Sequence, residues 1–347
     1  MVDLTDVGGI RRWLADRGVA QAITGLVDYL DADFRRWPSF EKIARIASHS
    51  REGVIELMPA SDGHQYAFKY VNGHPGNPRN GYQTVTAFGV LSDVATGYPV
   101  FVSEMTVLTA LRTAATSALA ARALARPDST TMGMIGAGSQ AEFQATAFHR
   151  ILGIDRIRVW DTDPGALRKF VTNLSDSGIE ITVASDAADA VAGMDIVTTC
   201  TADKTNATIL ERGMIEPGMH LNAIGGDCPG KTELDAGILT DAAARVFVEF
   251  APQTRIEGEI QQLPGDFPVT ELWEVLLGHA PGRTGDRDVT VFDSVGFAVE
   301  DYSALRYLHD QVRGSVYSQF LDLVASPDDP KDLWSLVGAG SPAPVGV

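Results

Sequence analysis

The chain has 347 residues, 45% hydrophobic and 21% charged, with a formal net charge of −17. That length calls for two domains rather than one core, and that composition excludes a disordered chain. The acidic balance argues against nucleic acid or an acidic membrane as partner, and two cysteines, Cys200 and Cys228, leave no disulfide framework and no four-ligand zinc site. The opening "MVDLTDVGGIRRW" lacks the basic stretch and apolar run of a signal peptide. No apolar run is long enough to span a membrane, so the expected address is the cytoplasm.

In chain order, "QAITGLVDYLDADFRRW" carries Ile23, Leu26, Val27, Leu30 and Phe34 at helical spacing and predicts an amphipathic helix. "GVIELMP", "QYAFKYVNG", "TVTAFGVLSD" and "YPVFVSEM" follow as short β-rich runs, with a turn signal at "DVATG", and predict an antiparallel meander. "TALRTAATSALAARALARP" predicts an alanine-rich helix closed by Pro127. From Thr131 the pattern changes. "MGMIG", "RIRVWD", "DIVTTCTA", "HLNAIGG", "RVFVEF" and "VTVFDSVG" alternate with helical stretches, which predicts βαβ units around a parallel sheet. "FAVEDYSALRYLHDQVRGSVYSQFLDLV" returns to helical periodicity and is expected to pack back on the first part of the chain. The Gly/Pro-rich tail "GAGSPAPVGV" is expected to fray.

"MGMIGAGSQAEFQATAF" places Gly136, Gly138 and Ala141 in a G-x-G-x-x-A spacing between a strand and an amphipathic helix. Small residues there let the backbone approach a pyrophosphate at a helix N-terminus. The next strand ends in Asp161, where an acid can bond an adenosine ribose and repel a 2′-phosphate, favouring NAD over NADP. A helix-capping role is the plain alternative for Asp161. Arg156 and Arg158, on the same strand, are expected to face solvent.

The period of two puts Lys69 on a face with Ala67 and Val71, which is costly without a counter-charge, and puts Glu56 on a face with Val54 and Met58. Arg45 lies in "KIARIAS" and Arg112 on the alanine-rich helix, among side chains too small to shield it. In so acidic a chain Arg45, Lys69 and Arg112 together would make a carboxylate receptor; taken singly they are scattered surface charges. The seven histidines show no metal-ligand spacing, so no metal is expected, and His220 reads as a packed residue. "NAIGGDCPGKTEL" sets Asp227 beside Cys228 in a Gly/Pro-rich turn after a predicted parallel strand, where ligands bind in such sheets.

These blocks, with "ARIASHS", "ALRTAATS", "PQTRIEGEIQQLP" and "VTVFDSVGFAVEDY", resemble the ornithine cyclodeaminase/μ-crystallin family over nearly the whole chain. The resemblance implies an α/β fold: an NAD-binding Rossmann domain (128–312) inserted into a discontinuous α+β substrate-binding and dimerisation domain (1–127 and 313–347). It implies a homodimer that converts L-ornithine to L-proline and ammonia with recycled NAD. Residue by residue, it implies that Arg45, Lys69 and Arg112 hold the substrate carboxylate, that Val295 touches the substrate and that Glu56 lies near its amino groups. Thr84, Arg112, Ser139, Gln140, Asp161, Thr201, Leu221, Asn222, Ala223, Ile224, Lys231 and Ser294 would line the dinucleotide, beside Gly136 and Gly138, and Asp227 would be the catalytic acid/base. The one departure at the fingerprint is Ala141 in place of a third glycine, a position that sets only helix–strand packing.

The chemistry favours the acid over the thiol. Oxidation at Cα needs a neutral α-amino group, hence a base. The substrate's own δ-amino group then attacks, an intramolecular step, and departing ammonia needs a proton. No covalent enzyme intermediate is required, so Cys228 has no nucleophilic task. Two rivals share these residues, a lysine cyclodeaminase giving pipecolate and a dehydrogenase or ketimine reductase of the same fold; a third, a non-enzymatic binding protein, predicts an altered residue at Asp227, Lys69 or Arg112, and all three are intact.

Overall fold

The computed structural model describes residues 1–201, 208–226 and 228–338. Asp227 and the tail from 339 onward lie outside the described residues. Before residue 130 the strands are β1 (Val2–Thr5), β2 (Glu41–Lys42), β3 (Ile46–His49), β4 (Val54–Ser61), β5 (Gln65–Gly73), β6 (Ala87–Asp93) and β7 (Pro99–Glu104). Then come β8 (Thr131–Ile135), β9 (Arg156–Trp160), β10 (Glu180–Val183), β11 (Ile196–Thr199) and β12 (His220–Ala223). The last are β13 (Ala244–Val248), β14 (Thr270–Glu271), β15 (Val289–Asp293) and β16 (Gln319–Leu321).

The first sheet runs β16-β1-β7-β6-β5-β4-β2, with β3 also paired to β4. Strands β4 to β7 form the expected antiparallel meander, and strict alternation sorts their side chains. Val54, Glu56 and Met58 of β4 and Ala67, Lys69 and Val71 of β5 are buried, while Ile55, Leu57 and Tyr66 face outward. The inner face is covered by the Ala298–Val312 helix, which packs on β4, β5 and β6 and on the Val19–Arg35 and Thr106–Leu124 helices. Such close approach needs small residues: a Cβ on Gly89, opposite Lys69 in the sheet, would stand 3.1 Å from Leu305 Cδ1 of that helix.

The helical pattern read through to Val324 stops sooner than expected. Gly314 takes a left-handed backbone (φ 68°) just after the helix, and Gln319–Leu321 pairs antiparallel with β1. An edge strand waiting for a partner outweighs a weak helical period in "VYSQFL". Likewise β10 and β14 close the two edges of the second sheet without any apolar run to announce them.

The second sheet is parallel throughout, in the order β10-β9-β8-β11-β12-β15-β13-β14. The chain winds outward from β8 through β9 and β10, then returns past β8 to β11, so the order reverses between β8 and β11. Ligands of open parallel sheets bind at that reversal, beyond the carboxyl ends of the strands. The turns at this edge begin at Gly136, Cys200, Ile224, Glu249 and Ser294. Among the described residues no helix is long and apolar enough to cross a membrane.

Candidate active site

At the reversal point, β8 gives way to Gly136, whose φ of 103° suits glycine and whose added Cβ would come within 2.7 Å of the Cys200 carbonyl. Gly136 therefore lets β8 and β11 part without blocking the crevice. Around Gly138 there is open space for a Cβ, and the Ala141–Leu152 helix begins just beyond, its N-terminus aimed at this edge. Gln140 Oε1 is buried there with no hydrogen-bond partner among the described residues. A turn with an open cradle and an orphaned acceptor at a helix N-terminus suits a dinucleotide pyrophosphate and its ribose.

Asp161 braces this loop. One carboxylate oxygen accepts from Ala137 N–H at 2.7 Å, and the other accepts from Asp163 N–H at 2.8 Å. The helix cap is Asp163 instead, which accepts from Gly165 N–H. Arg156 is exposed, whereas Arg158 is half-buried and donates to the carbonyls of Asp189 and Ala192, away from Asp161. On the other side of the crevice, Thr201 donates its hydroxyl and its N–H to Glu233, and its carbonyl accepts from Lys231 Nζ at 2.8 Å. Leu221, Asn222 and Ala223 are buried in β12, and Ile224 N–H bonds to Thr199 at 3.1 Å. Ser294 closes the edge, with its N–H on Ala223 and its hydroxyl on Glu249. Thr84 sits in the segment joining β5 to β6, where its carbonyl accepts from His74 N–H.

The cations of the first sheet come together. Lys69 is 1% exposed, and its Nζ donates to Asp301 Oδ1 at 2.9 Å. Arg112 Nε donates to the same oxygen at 2.9 Å, and its Nη1 pairs with Glu300. Arg45 Nη1 meets Glu56 at 3.1 Å and its Nε meets Glu257 at 3.0 Å, while Nη2 donates to the Val295 and Gly296 carbonyls. A Cβ on Gly296 would stand 2.6 Å from Arg112 Nη1, so the two arginines converge on one turn. Asp301 Oδ2 is buried without a hydrogen-bond partner among the described residues. Burial and the neighbouring Arg112 lower the Lys69 ammonium to about 8, against the pull of Asp301. Burial raises Glu300 to about 8, with Arg112 opposing it.

Sequence reasoning thus reached the cations and Glu56 but missed their partners Asp301, Glu300 and Glu257, and the buried Glu249. The first two appear in "FAVEDYS" as ordinary first-turn acids, and only their burial distinguishes them. His220 is fully buried between Thr290 and Asn222, and burial lowers it to about 3, so it is neutral. Cys200 is held protonated by burial and bonds the Gly136 carbonyl, and Cys228 lies in the turn beside Asp227, its carbonyl accepting from Lys231 N–H. Among the described residues no group of three or more His, Cys, Asp or Glu side chains is placed to hold a metal ion. Cavities of about 380 and 230 Å³ open where β13 and β15 begin, at Ala244 and Val289, away from this edge.

Comparison with known proteins shows the family and the fold. The family model described as ornithine cyclodeaminase/mu-crystallin matches residues 14–316. An ornithine cyclodeaminase of Agrobacterium fabrum is 60% identical over 320 residues, covering 92% of this chain and 90% of that one. A solved lysine cyclodeaminase, described as recognising L-lysine, L-ornithine and L-2,4-diaminobutyric acid, superposes with a TM-score of 0.84 at 32% identity, over 89% of this chain and 92% of its own. An archaeal alanine dehydrogenase dimer with bound NAD superposes with a TM-score of 0.81 at 30% identity, over 89% of this chain and 95% of that one. With an open crevice at the carboxyl edge of one sheet and a cation cluster on the other, the chain belongs to the ornithine cyclodeaminase/mu-crystallin family.

Proposed function

We propose that the protein is an ornithine cyclodeaminase, converting L-ornithine to L-proline and ammonia. Its 60% identity to the Agrobacterium fabrum enzyme supports the substrate. The observation that carries the reading is the buried cluster of Arg45, Lys69 and Arg112 beside the nucleotide crevice, in a chain of net charge −17. Three cations gathered in so acidic a protein are a receptor for a small carboxylate.

The chemistry that NAD supplies when bound is reversible oxidation of the carbon bearing the α-amino group. The residues proposed to hold it are Gly136, Gly138, Ser139, Gln140, Asp161, Thr201, the 221–224 segment, Lys231 and Ser294, together with Thr84 and Arg112. Arg45, Lys69 and Arg112 hold the substrate carboxylate, and Val295 touches the substrate. An incoming carboxylate competes with Glu56 for Arg45, and a released Glu56 is the counter-charge for a substrate ammonium, so the exchange conserves local charge. Asp227, proposed as the acid/base, takes the proton from the α-ammonium and returns one to the departing ammonia. Cyclisation by the tethered δ-amino group needs no nucleophile from the protein.

We also propose a homodimer in which the outer face of the first sheet is covered. Ile46, Leu57, Tyr70 and Phe88 form one cross-strand row on that face, with Tyr70 and Phe88 stacked at 5.1 Å, and Ile46, Leu57 and Phe88 are exposed. An apolar row of this kind on an open sheet face is what a symmetric interface buries. Light scattering of Leu57→Glu should report the monomer where the parent chain reports the dimer. For the two proposed working units we move the second boundary from 312, as the resemblance implied, to about 297, because the Ala298–Val312 helix packs on the first sheet. A cytoplasmic setting, where both thiols stay reduced, and a role in turning ornithine into proline complete the reading.

The deciding experiment is a mass balance with L-ornithine in large excess over NAD. Proline and ammonia formed in equal amounts, many per NAD, with no lasting NADH, is the expected result. NADH accumulating with ammonia until NAD is exhausted would make the protein an open dehydrogenase and sink the proposal. L-Lysine run in parallel addresses pipecolate formation, since a hydrophobic pocket discriminates one methylene by only about 1–3 kcal/mol.

A further inference from the structure

One fully buried acid at the centre of the site has no task in the reading above. Glu249 follows the last residue of β13, and Val248 lies opposite Asp293 of β15, so the next step along both strands sets Glu249 beside Ser294. Its carboxylate takes donors from three consecutive residues. The Ser294 hydroxyl and Gly296 N–H (3.2 Å) reach one oxygen, and Val295 N–H (3.3 Å) reaches the other. Burial raises the carboxyl and these three bonds oppose the rise.

What the three residues do next gives the grip its meaning. Gly296 N–H and the Val295 carbonyl belong to one peptide plane, and in a trans peptide they point in opposite directions. With the N–H held by Glu249, the carbonyl is aimed the other way, where it accepts from Arg45 Nη2 at 2.7 Å. The Gly296 carbonyl accepts from the same Nη2 at 2.8 Å and from Gln253 Nε2 at 3.1 Å. The turn itself has φ 74° at Gly296 and passes under the Arg112 guanidinium.

We infer that Glu249 is a positioning residue for the reaction. By fixing the Val295–Gly296 peptide it seats Arg45 and shapes the turn beneath Arg112, and through the Ser294 hydroxyl it sets the dinucleotide side of the same turn. One carboxylate thereby keeps the carboxylate receptor and the cofactor edge in register. The inference rests on the roles proposed above for Arg45, Arg112 and Ser294.

Glu249→Gln tests it, because the amide keeps the shape but turns an NH2 donor toward backbone donors. The expected result is a rise in ornithine KM of about 10-fold, the size of effect expected when a buried donor loses its acceptor, with a smaller fall in kcat. The dissociation constant for NAD, read by tryptophan fluorescence without substrate, should rise roughly threefold, as a partial loss of one hydrogen bond predicts. Glu249→Asp keeps the charge but withdraws the carboxylate, and should move both constants in the same direction, which decides the matter if the glutamine variant does not fold. Variants that melt lower but keep the parental KM and NAD affinity would reduce Glu249 to a structural residue and overturn the inference. If the parent chain fails to turn over ornithine, the functional reading falls, and NAD affinity still decides for or against Glu249: an unchanged value overturns the inference, a raised one retains it.

Discussion

Gly296 and Lys69 carry the sharpest consequences of single side chains. Alanine at 296 would face both a positive φ and Arg112 Nη1 at 2.6 Å from its Cβ. Gly296→Ala should therefore cost about 1–3 kcal/mol of stability, measured by urea unfolding, and raise ornithine KM as Arg112 is pushed aside. Lys69→Met should raise ornithine KM by roughly 10- to 100-fold, the range for a lost charge-assisted bond, while NAD affinity measured without substrate stays near the parental value. At this scale the sequence was half legible. The period of two showed that Lys69 and Glu56 face inward and that Lys69 needs a counter-charge. It could not name Asp301, because that acid lies 232 residues away in sequence and looks like any first-turn helix acid. Asp161 was read as a candidate ribose ligand from its place at a strand end, whereas its bonds to Ala137 and Asp163 are visible only in three dimensions.

The Ala298–Val312 helix is the element on which the cation cluster depends. Its first turn delivers Glu300 and Asp301 into the space between β5 and the Thr106–Leu124 helix, where Asp301 bonds two cations at one oxygen and Glu300 pairs with Arg112. Asp301→Asn leaves Lys69 and Arg112 with too little counter-charge. It should cost about 3–5 kcal/mol, the usual cost of breaking a buried pair, read as a shifted denaturant midpoint in equilibrium unfolding. An unchanged midpoint would mean that Glu300 alone balances the cluster. The Val19–Arg35, Thr106–Leu124 and Ala141–Leu152 helices and the central strands were legible because apolar periods and β-rich runs announce them, whereas the Val7–Arg17 helix was not read. The strands missed at first reading, β1, β2, β3, β10, β14 and β16, are short and mostly lie at edges, where pairing with a neighbour rather than local sequence decides their form.

Across the whole molecule, the acidic balance extends inward. Glu249, Glu259, Asp293 and Glu300 are fully buried, and desolvation is the main cause that raises each. Asp293 is pushed up to about 7, and Glu259 and Glu300 to about 8. Between their unfolded values and these, the native state binds more protons than the unfolded chain, so stability falls as pH rises through that window. His220, lowered to about 3, has the opposite sign up to the ordinary histidine range, but it is one group against several. Calorimetry should therefore find the melting temperature declining from about pH 5 to about pH 8, most steeply once His220 ceases to oppose the trend. Replacing Glu259 with glutamine should flatten that slope.

The route of the chain between the sheets has a mechanical consequence. It leaves the first sheet through the Thr106–Leu124 helix and returns through Ser294–Phe297, the turn that Arg45, Arg112 and Glu249 hold. One of the two covalent straps joining the halves is thus also the floor of the site. On the roles proposed for Arg45 and Arg112, a swing that widened the crevice would pull on that strap and loosen the seat of the substrate carboxylate. Occupancy of one compartment would then be felt as tension in the other, without a separate messenger between them.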